Sequence, residues 1–352
     1  HCWPQWDVWV LPFFLGAVLA ASTGWWFLAG ALLGIGVFFK GQLLMIAPFF
    51  VLWPLFDRRS ESALRVVSGF ATAAAAVAAP WVALTPAVQR WLIWYVLGTA
   101  LLLVLAAGHG RRLLREAPAL LLLTSATGFF LVAPRVGGSM AWYIVAYVGG
   151  AERYNYHMLK GFAATLPGFL EQCFHWAPRG VLLPLPTWLG LHRGITFEGL
   201  FTVLYFAGLA LCAFGAARQA PRRDPRILAA FVAPWALLYT LMPFMHERYL
   251  VWAAATSTLL VALGARGVIV SVIISLCAWA PMVRTMIYFR PGFYFHLRQF
   301  LVSIHTDLIW IMTAVCAILV GVALTRREDR TAPATSPASP DTGLFSWFRR
   351  IW

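Results

Sequence analysis

Between Ile227 and Ala265 the chain reads ILAAFVAPWALLYTLMPFMHERYLVWAAATSTLLVALGA. Two apolar runs, at 227–243 and 249–265, flank a short break in which His246, Glu247 and Arg248 stand side by side. Each run is close to the ~20 residues that an α-helix needs to cross a bilayer. Ionisable side chains where one such run ends and the next begins are expensive, and by default they mark a site with a partner. A helix N-terminus that carries His and Arg is also suited to an anion, because its open N–H groups and its dipole both favour negative charge. At a membrane surface the natural anion is a phosphate, and this points toward lipid-phosphate chemistry.

The rest of the chain repeats the pattern. Its 352 residues are 61% hydrophobic and 11% charged, with a mean hydropathy of +0.76. Soluble domains are about 45–50% apolar and about 25% charged, so no soluble interior could hide this much apolar surface. The sequence predicts an all-α, polytopic transmembrane bundle of about 11 spans, near 8–22, 25–39, 43–56, 66–85, 91–107, 118–134, 198–216, 227–243, 249–265, 267–281 and 301–325. The bundle occupies 1–330. Within it, 135–197 is a long outer loop rich in Tyr, Trp and Pro, with the composition of helices that lie along the interface. From Thr331 to Pro340 a Pro/Ser linker leads to an amphipathic end at Leu344–Trp352, so 331–352 reads as a disordered tail.

Net charge is +14. Arginines crowd the short breaks around Arg58, Arg111, Arg222, Arg266 and Arg326, as cytoplasmic loops do. That assigns the excess charge to membrane topology and lipid headgroups, not to nucleic acid. It puts the C-terminus in the cytoplasm and the His246 break outside, the sidedness expected of a multi-pass cell-membrane (inner-membrane) protein. Cys212, Cys277 and Cys316 lie in apolar runs, and Cys2 and Cys173 show no paired spacing.

Three polar groups share the outer side: Gln5-Trp6-Asp7, Lys40-Gly41-Gln42 and His246-Glu247-Arg248. Asp7 reads either as a general base or ligand, or as a helix-capping carboxylate. Lys40 reads as a phosphate contact or as an interfacial lysine with its stem in lipid. His246, Glu247 and Arg248 form an anion site or a rim ion pair. Zinc, P-loop and serine-hydrolase signatures are absent, and the scattered histidines give no metal set.

Taken in order, these groups resemble the GT-C superfamily of polytopic membrane glycosyltransferases, specifically its bacterial mannosyltransferase-like branch. That branch reads Trp-Gly-Gln-x-Asp, then Lys-Pro-Gln, then Met-His-Glu-Arg-Tyr-Leu. Here the first is Trp3-Pro4-Gln5-Trp6-Asp7, the second is Lys40-Gly41-Gln42, and Met245 to Leu250 matches the third in full. The likeness runs from about Trp3 to Gly264, with Pro4 and Gly41 as departures.

The resemblance implies a GT-C-like fold and a hexosyltransferase that inverts the anomeric centre. The donor is a polyprenyl-phosphate sugar and the acceptor a glycan, lipid or protein. His246, Arg248 and Lys40 would hold the donor phosphate, supported by Gln5, Gln42 and Glu247, and Asp7 would be the acidic residue of the reaction. A divalent cation stays open, with no clear site. The family's first outer loop, which carries its principal catalytic acid, would lie upstream of His1, so the chain reads as N-terminally incomplete. The rival readings are a lipid-linked-sugar transporter or flippase, which also needs cations at phosphate depth, and a non-catalytic membrane scaffold.

Overall fold

A computed structural model describes residues 9–83, 164–174, 181–183, 194–243, 245–288 and 295–325. The expected spans at 91–107 and 118–134, most of the 135–197 loop and the 331–352 tail lie outside the described residues, as do Gln5 and Asp7.

The described chain is mostly helical. In order it forms α1 (Val10–Ser22), α2 (Trp26–Phe39), α3 (Gln42–Phe56), α4 (Ser60–Ala83), α5 (Leu166–Phe174), a minimal antiparallel pair β1 (Val181–Leu183) and β2 (Ile195–Thr196), α6 (Phe197–Gln219) and α7 (Ile227–Leu241). A 3-10 turn at Glu247–Tyr249 opens α8 (Leu250–Ser257). After a second 3-10 stretch come α9 (Ala265–Tyr288), α10 (Phe295–Ser303) and α11 (His305–Leu324). The helices Phe197–Arg222, Ala265–Ile287 and His305–Leu324 are long and apolar enough to cross a membrane, and α1, α3, α7 and Trp26–Val37 are shorter apolar helices.

The centre of the bundle is α7. Every residue from Ile227 to Thr240 except Leu228 is buried, and a helix that is apolar all round belongs in an interior. It packs against α6, α8, α11 and α3. Edge-to-face rings pack around it: Phe14 of α1 meets Trp235 at 5.2 Å, and Trp235 meets Trp252 of α8 at 5.2 Å. Polar groups mark the helix alignment. The Tyr205 hydroxyl donates to the Met45 carbonyl at 3.1 Å, and the Gln219 amide donates to the Val322 carbonyl at 3.3 Å. The outside is apolar as well: Val203 on α6, Ile269 and Leu276 on α9, and Ile318 on α11 are all more than half exposed. Apolar side chains on both the inside and the outside of long helices are compatible with a hydrocarbon surround.

Small residues set the closest helix approach. Gly30 and Gly34 of α2 face the α4 backbone at Val66 and Phe70, and Gly69 of α4 faces the α2 backbone at Phe27. Glycines on both helices let the two backbones approach this closely, since neither carries a Cβ at the contact.

Two expected spans take a different form. The 249–265 run is split into a 3-10 turn, eight residues of α8 and the 3-10 stretch Thr258–Leu263, which ends at Gly264 with φ 82°. Thr256, Ser257 and Thr258 each donate their hydroxyl to a carbonyl three or four residues back, and such back-bonding competes with the helix ladder and bends it. The 301–325 run is split at Ile304 into the end of α10 and the whole of α11, and α9 runs on to Tyr288.

Candidate functional site

The chain reverses between α2 and α3 in two residues. Lys40 leaves the helix in an extended conformation (φ −157°, ψ 118°), its N–H still bonded to the Gly36 carbonyl at 3.1 Å, and Gln42 opens α3. At the far end of α7, Met242 is also extended, and Pro243 follows it, which cannot extend the helical ladder. His246 is extended (φ −86°, ψ 151°) and accepts the Tyr249 N–H at 3.0 Å, closing the 3-10 turn. Both reversals are fixed by local sequence, and both leave basic residues at helix ends.

Packing then brings the two together on one ring. Tyr249 is 7% exposed. Lys40 Nζ lies 5.4 Å from its ring centroid and Arg248 Cζ lies 5.5 Å from it. The His246 ring stands edge-to-face at 5.6 Å, and the Trp252 ring lies parallel at 4.7 Å with an 11° tilt. Trp252 is itself locked against Trp235, so the Tyr249 ring is held by the core.

A cation over an aromatic face gains about 0.5–1 kcal/mol when exposed and about 2 kcal/mol when desolvated. Sharing one ring also holds the two cations within about 11 Å of each other. Like charges at that distance repel each other. The ring offsets part of this, and an anion lying against both cations would offset more. His246 Nδ1 is 3.9 Å from Glu247 Oε2. That is beyond hydrogen-bond distance for this pair of atoms, so the contact is an ion pair only when the imidazole is protonated.

The structure therefore gathers Lys40, His246 and Arg248 around Tyr249, with Glu247 beside His246 and Gln42 two residues from Lys40 at the start of α3. Gln5 and Asp7 lie outside the described residues. Among the described residues no group of three or more His, Cys, Asp or Glu forms a metal-ligand set.

Sequence reasoning gave Tyr249 and Trp252 no role, although a signal was there. His246, Tyr249 and Trp252 recur every three residues, which puts them on one face of a turn. Tyr239 was also passed over. Its buried hydroxyl accepts the Ala164 N–H at 2.9 Å and ties the segment before α5 to the same end of α7.

Comparison of the chain with models of known families, with curated proteins and with solved structures returns no match.

Proposed function

We propose that this chain is a membrane glycosyltransferase of the GT-C kind, which moves a sugar from a polyprenyl-phosphate carrier to a glycan, lipid or protein acceptor. The observation that carries the proposal is the convergence of Lys40 and Arg248, from two distant motifs, on the ring of Tyr249. In the reaction the acceptor oxygen attacks the anomeric carbon, and the bond from that carbon to the phosphate oxygen breaks with its electron pair going to the phosphate. The acceptor proton passes to a carboxylate, a role we give to Asp7. Charge on the phosphate grows as the bond breaks, so fixed Arg248, Lys40 and His246 stabilise the transition state more than the ground state. Gln5 and Gln42 serve the sugar hydroxyls, and Glu247 orients His246.

The test is sugar transfer by the full chain from a polyprenyl-phosphate sugar. A neutral hydrogen bond contributes about 1 kcal/mol, so His246→Ala is expected to lower turnover about fivefold and Glu247→Ala by less. Full activity in a folded His246→Ala protein would reduce this motif to a surface anchor.

The same reading sets an orientation. About 11 spans are proposed, with the Arg222 turn and the C-terminus in the cytoplasm and Lys40, His246 and Arg248 at the outer face of the inner membrane. At the Arg222 end, Arg58 and Arg223 sit in left-handed conformations (φ 58° and 51°), where glycine is the usual choice. Arginine in both places fits a demand for positive charge on that side. An impermeant thiol reagent on intact cells should label a cysteine placed at position 246 and spare one at position 222. The reverse pattern would invert the topology and remove the site from the donor's side.

A further inference from the structure

Helices α3 and α6 pack together and close with the same turn. After α3, the Arg59 N–H donates back to the Pro54 carbonyl at 2.8 Å and the Arg58 N–H to the Leu55 carbonyl at 3.0 Å. After the 3-10 extension of α6, the Asp224 N–H donates to the Gln219 carbonyl at 3.2 Å and the Arg223 N–H to the Ala220 carbonyl at 3.1 Å. This pair of bonds ends a helix with one residue in the left-handed region, where glycine is usual because a Cβ is crowded. Both turns put an arginine there, Arg58 at φ 58° and Arg223 at φ 51°.

Aromatic contacts join the two turns. The Phe56 ring meets the Phe214 ring edge-on at 5.6 Å, and Arg218 Cζ lies 5.3 Å from the centre of the Phe214 ring. One helical turn on, Arg222 Nη1 donates to the Arg218 carbonyl at 2.7 Å. The acids of this surface are already engaged: Asp57 pairs with Arg59 at 2.9 Å, Asp224 with Arg226 at 2.8 Å, and Glu61 with Arg65. Arg58, Arg218, Arg222 and Arg223 have no carboxylate partner among the described residues. Three of them, Arg58, Arg222 and Arg223, are exposed.

The flank beside these cations is apolar and uncovered. Phe56 is 42% exposed, Phe214 38% and Leu211 44%, the last two on a helix long enough to cross a membrane. Membrane sidedness asks for positive charge at this end, and Arg59, Arg222 and Arg226 would already supply it. It does not require the one position in each turn where a side chain costs most. A ligand touched by both turns does, because the left-handed residue fixes where its side chain leaves the helix end. Guanidinium forks match phosphate oxygens, and the apolar flank matches an acyl chain. A free phosphate would leave Phe56, Phe214 and Leu211 uncovered.

We propose that the α3–α4 and α6–α7 turns together form a headgroup site for an anionic phospholipid. Its phosphate lies between Arg58 and the Arg218–Arg223 turn, and an acyl chain runs along Phe56, Phe214 and Leu211. The site shares no residue with the Tyr249 cluster, so it stands or falls independently of the glycosyltransferase reading.

The left-handed positions supply the test. Glycine suits that backbone, so the double variant Arg58→Gly/Arg223→Gly should melt no lower than wild type while losing two headgroup contacts. The full chain in detergent is offered equal amounts of phosphatidylglycerol and phosphatidylcholine with the same acyl chains, and retained lipid is counted by native mass spectrometry. A basic side chain near anionic lipid contributes about fivefold in binding, so two contribute about 25-fold. The wild type should keep phosphatidylglycerol over phosphatidylcholine by at least that factor, and the double variant should lose most of it. Arg266→Gln, which removes an exposed arginine at the start of α9, should lose none. Equal retention of the two lipids by the wild type would overturn the proposal, and so would a double variant that selects like wild type. A fivefold loss in Arg266→Gln would mean that total charge selects the lipid, and displacement by millimolar inorganic phosphate would mean that the surface reads a free anion; either result overturns the site. Should the double variant fail to fold, photoactivatable phosphatidylglycerol on the wild type decides. Cross-links within 54–59 or 211–223 support the site, and cross-links only elsewhere overturn it.

Discussion

Gly30→Leu is expected to destabilise the bundle by about 3 kcal/mol or more, the cost of forcing apart two backbones that touch. A side chain at Gly30 would run into the Val66 carbonyl of α4, and one at Gly34 would meet the Phe70 carbonyl at 2.5 Å. On the other helix, a side chain at Gly69 would strike the Phe27 carbonyl. These obstacles are backbone atoms, so a rotamer change cannot relieve them, and α2 and α4 would have to separate along their shared face. Gly69→Leu should do the same from the opposite side. Because α2 leads directly into Lys40, the shift should also move that cation away from Tyr249. The control is Gly321→Ala on α11, where nothing lies within 4 Å of the new methyl. There the loss of glycine's backbone freedom should leave stability unchanged or raise it by up to about 1 kcal/mol. Thermal unfolding in detergent, followed by fluorescence size-exclusion, reads all three variants. Equal melting of Gly30→Leu and Gly321→Ala would mean that the α2–α4 pair does not carry the fold.

The second large effect is expected at Arg248. Charge-assisted hydrogen bonds contribute roughly 1.5–3 kcal/mol, so Arg248→Ala should lower transfer from a polyprenyl-phosphate sugar about 10- to 100-fold. Arg248→Lys should recover little of it, because an ammonium presents a point charge where the guanidinium offers a planar fork. The Tyr249 ring sharpens the comparison. With Arg248 gone, Lys40 still sits 5.4 Å from the ring, so the fold around Trp252 and Trp235 should persist. The variant should therefore melt within about 1 kcal/mol of wild type, as partly exposed positions usually do. Loss of transfer with retained stability supports a phosphate contact. If transfer and stability fall together, Arg248 is a packing residue and the donor-site reading loses its strongest member.

Much of the architecture is written in composition and in where the charges fall. An apolar content of 61% with charges collected in short breaks predicts apolar helices in a hydrocarbon surround, and the three long apolar helices are compatible with it. Helix α3 spans Gln42–Phe56, beside the polar Lys40-Gly41-Gln42 group that delimits it in the sequence. Where local reading failed, a competing local interaction was the reason. Hydropathy counts Thr256, Ser257 and Thr258 as tolerable members of a span, but it does not see their hydroxyls bonding back to carbonyls and tightening the helix into a 3-10 stretch. In the same way it joins α10 to α11, because the turn at Ile304 falls between two apolar stretches.

The candidate site divides along the same line. The sequence determines that Lys40 closes one helix and that His246, Glu247 and Arg248 precede another, because helix ends follow from nearby residues such as Gly41 and Pro243. Which of these ends meet was decided only by the tertiary structure. Periodicity assigns a residue to a face of its own helix, but it carries no information about which distant helix that face will touch. The neighbour is chosen by the fit of Trp235, Trp252 and Tyr249 in the core and by the glycine contacts that seat α2 beside α4. Those long-range packing choices put Lys40 and Arg248 on the same aromatic ring.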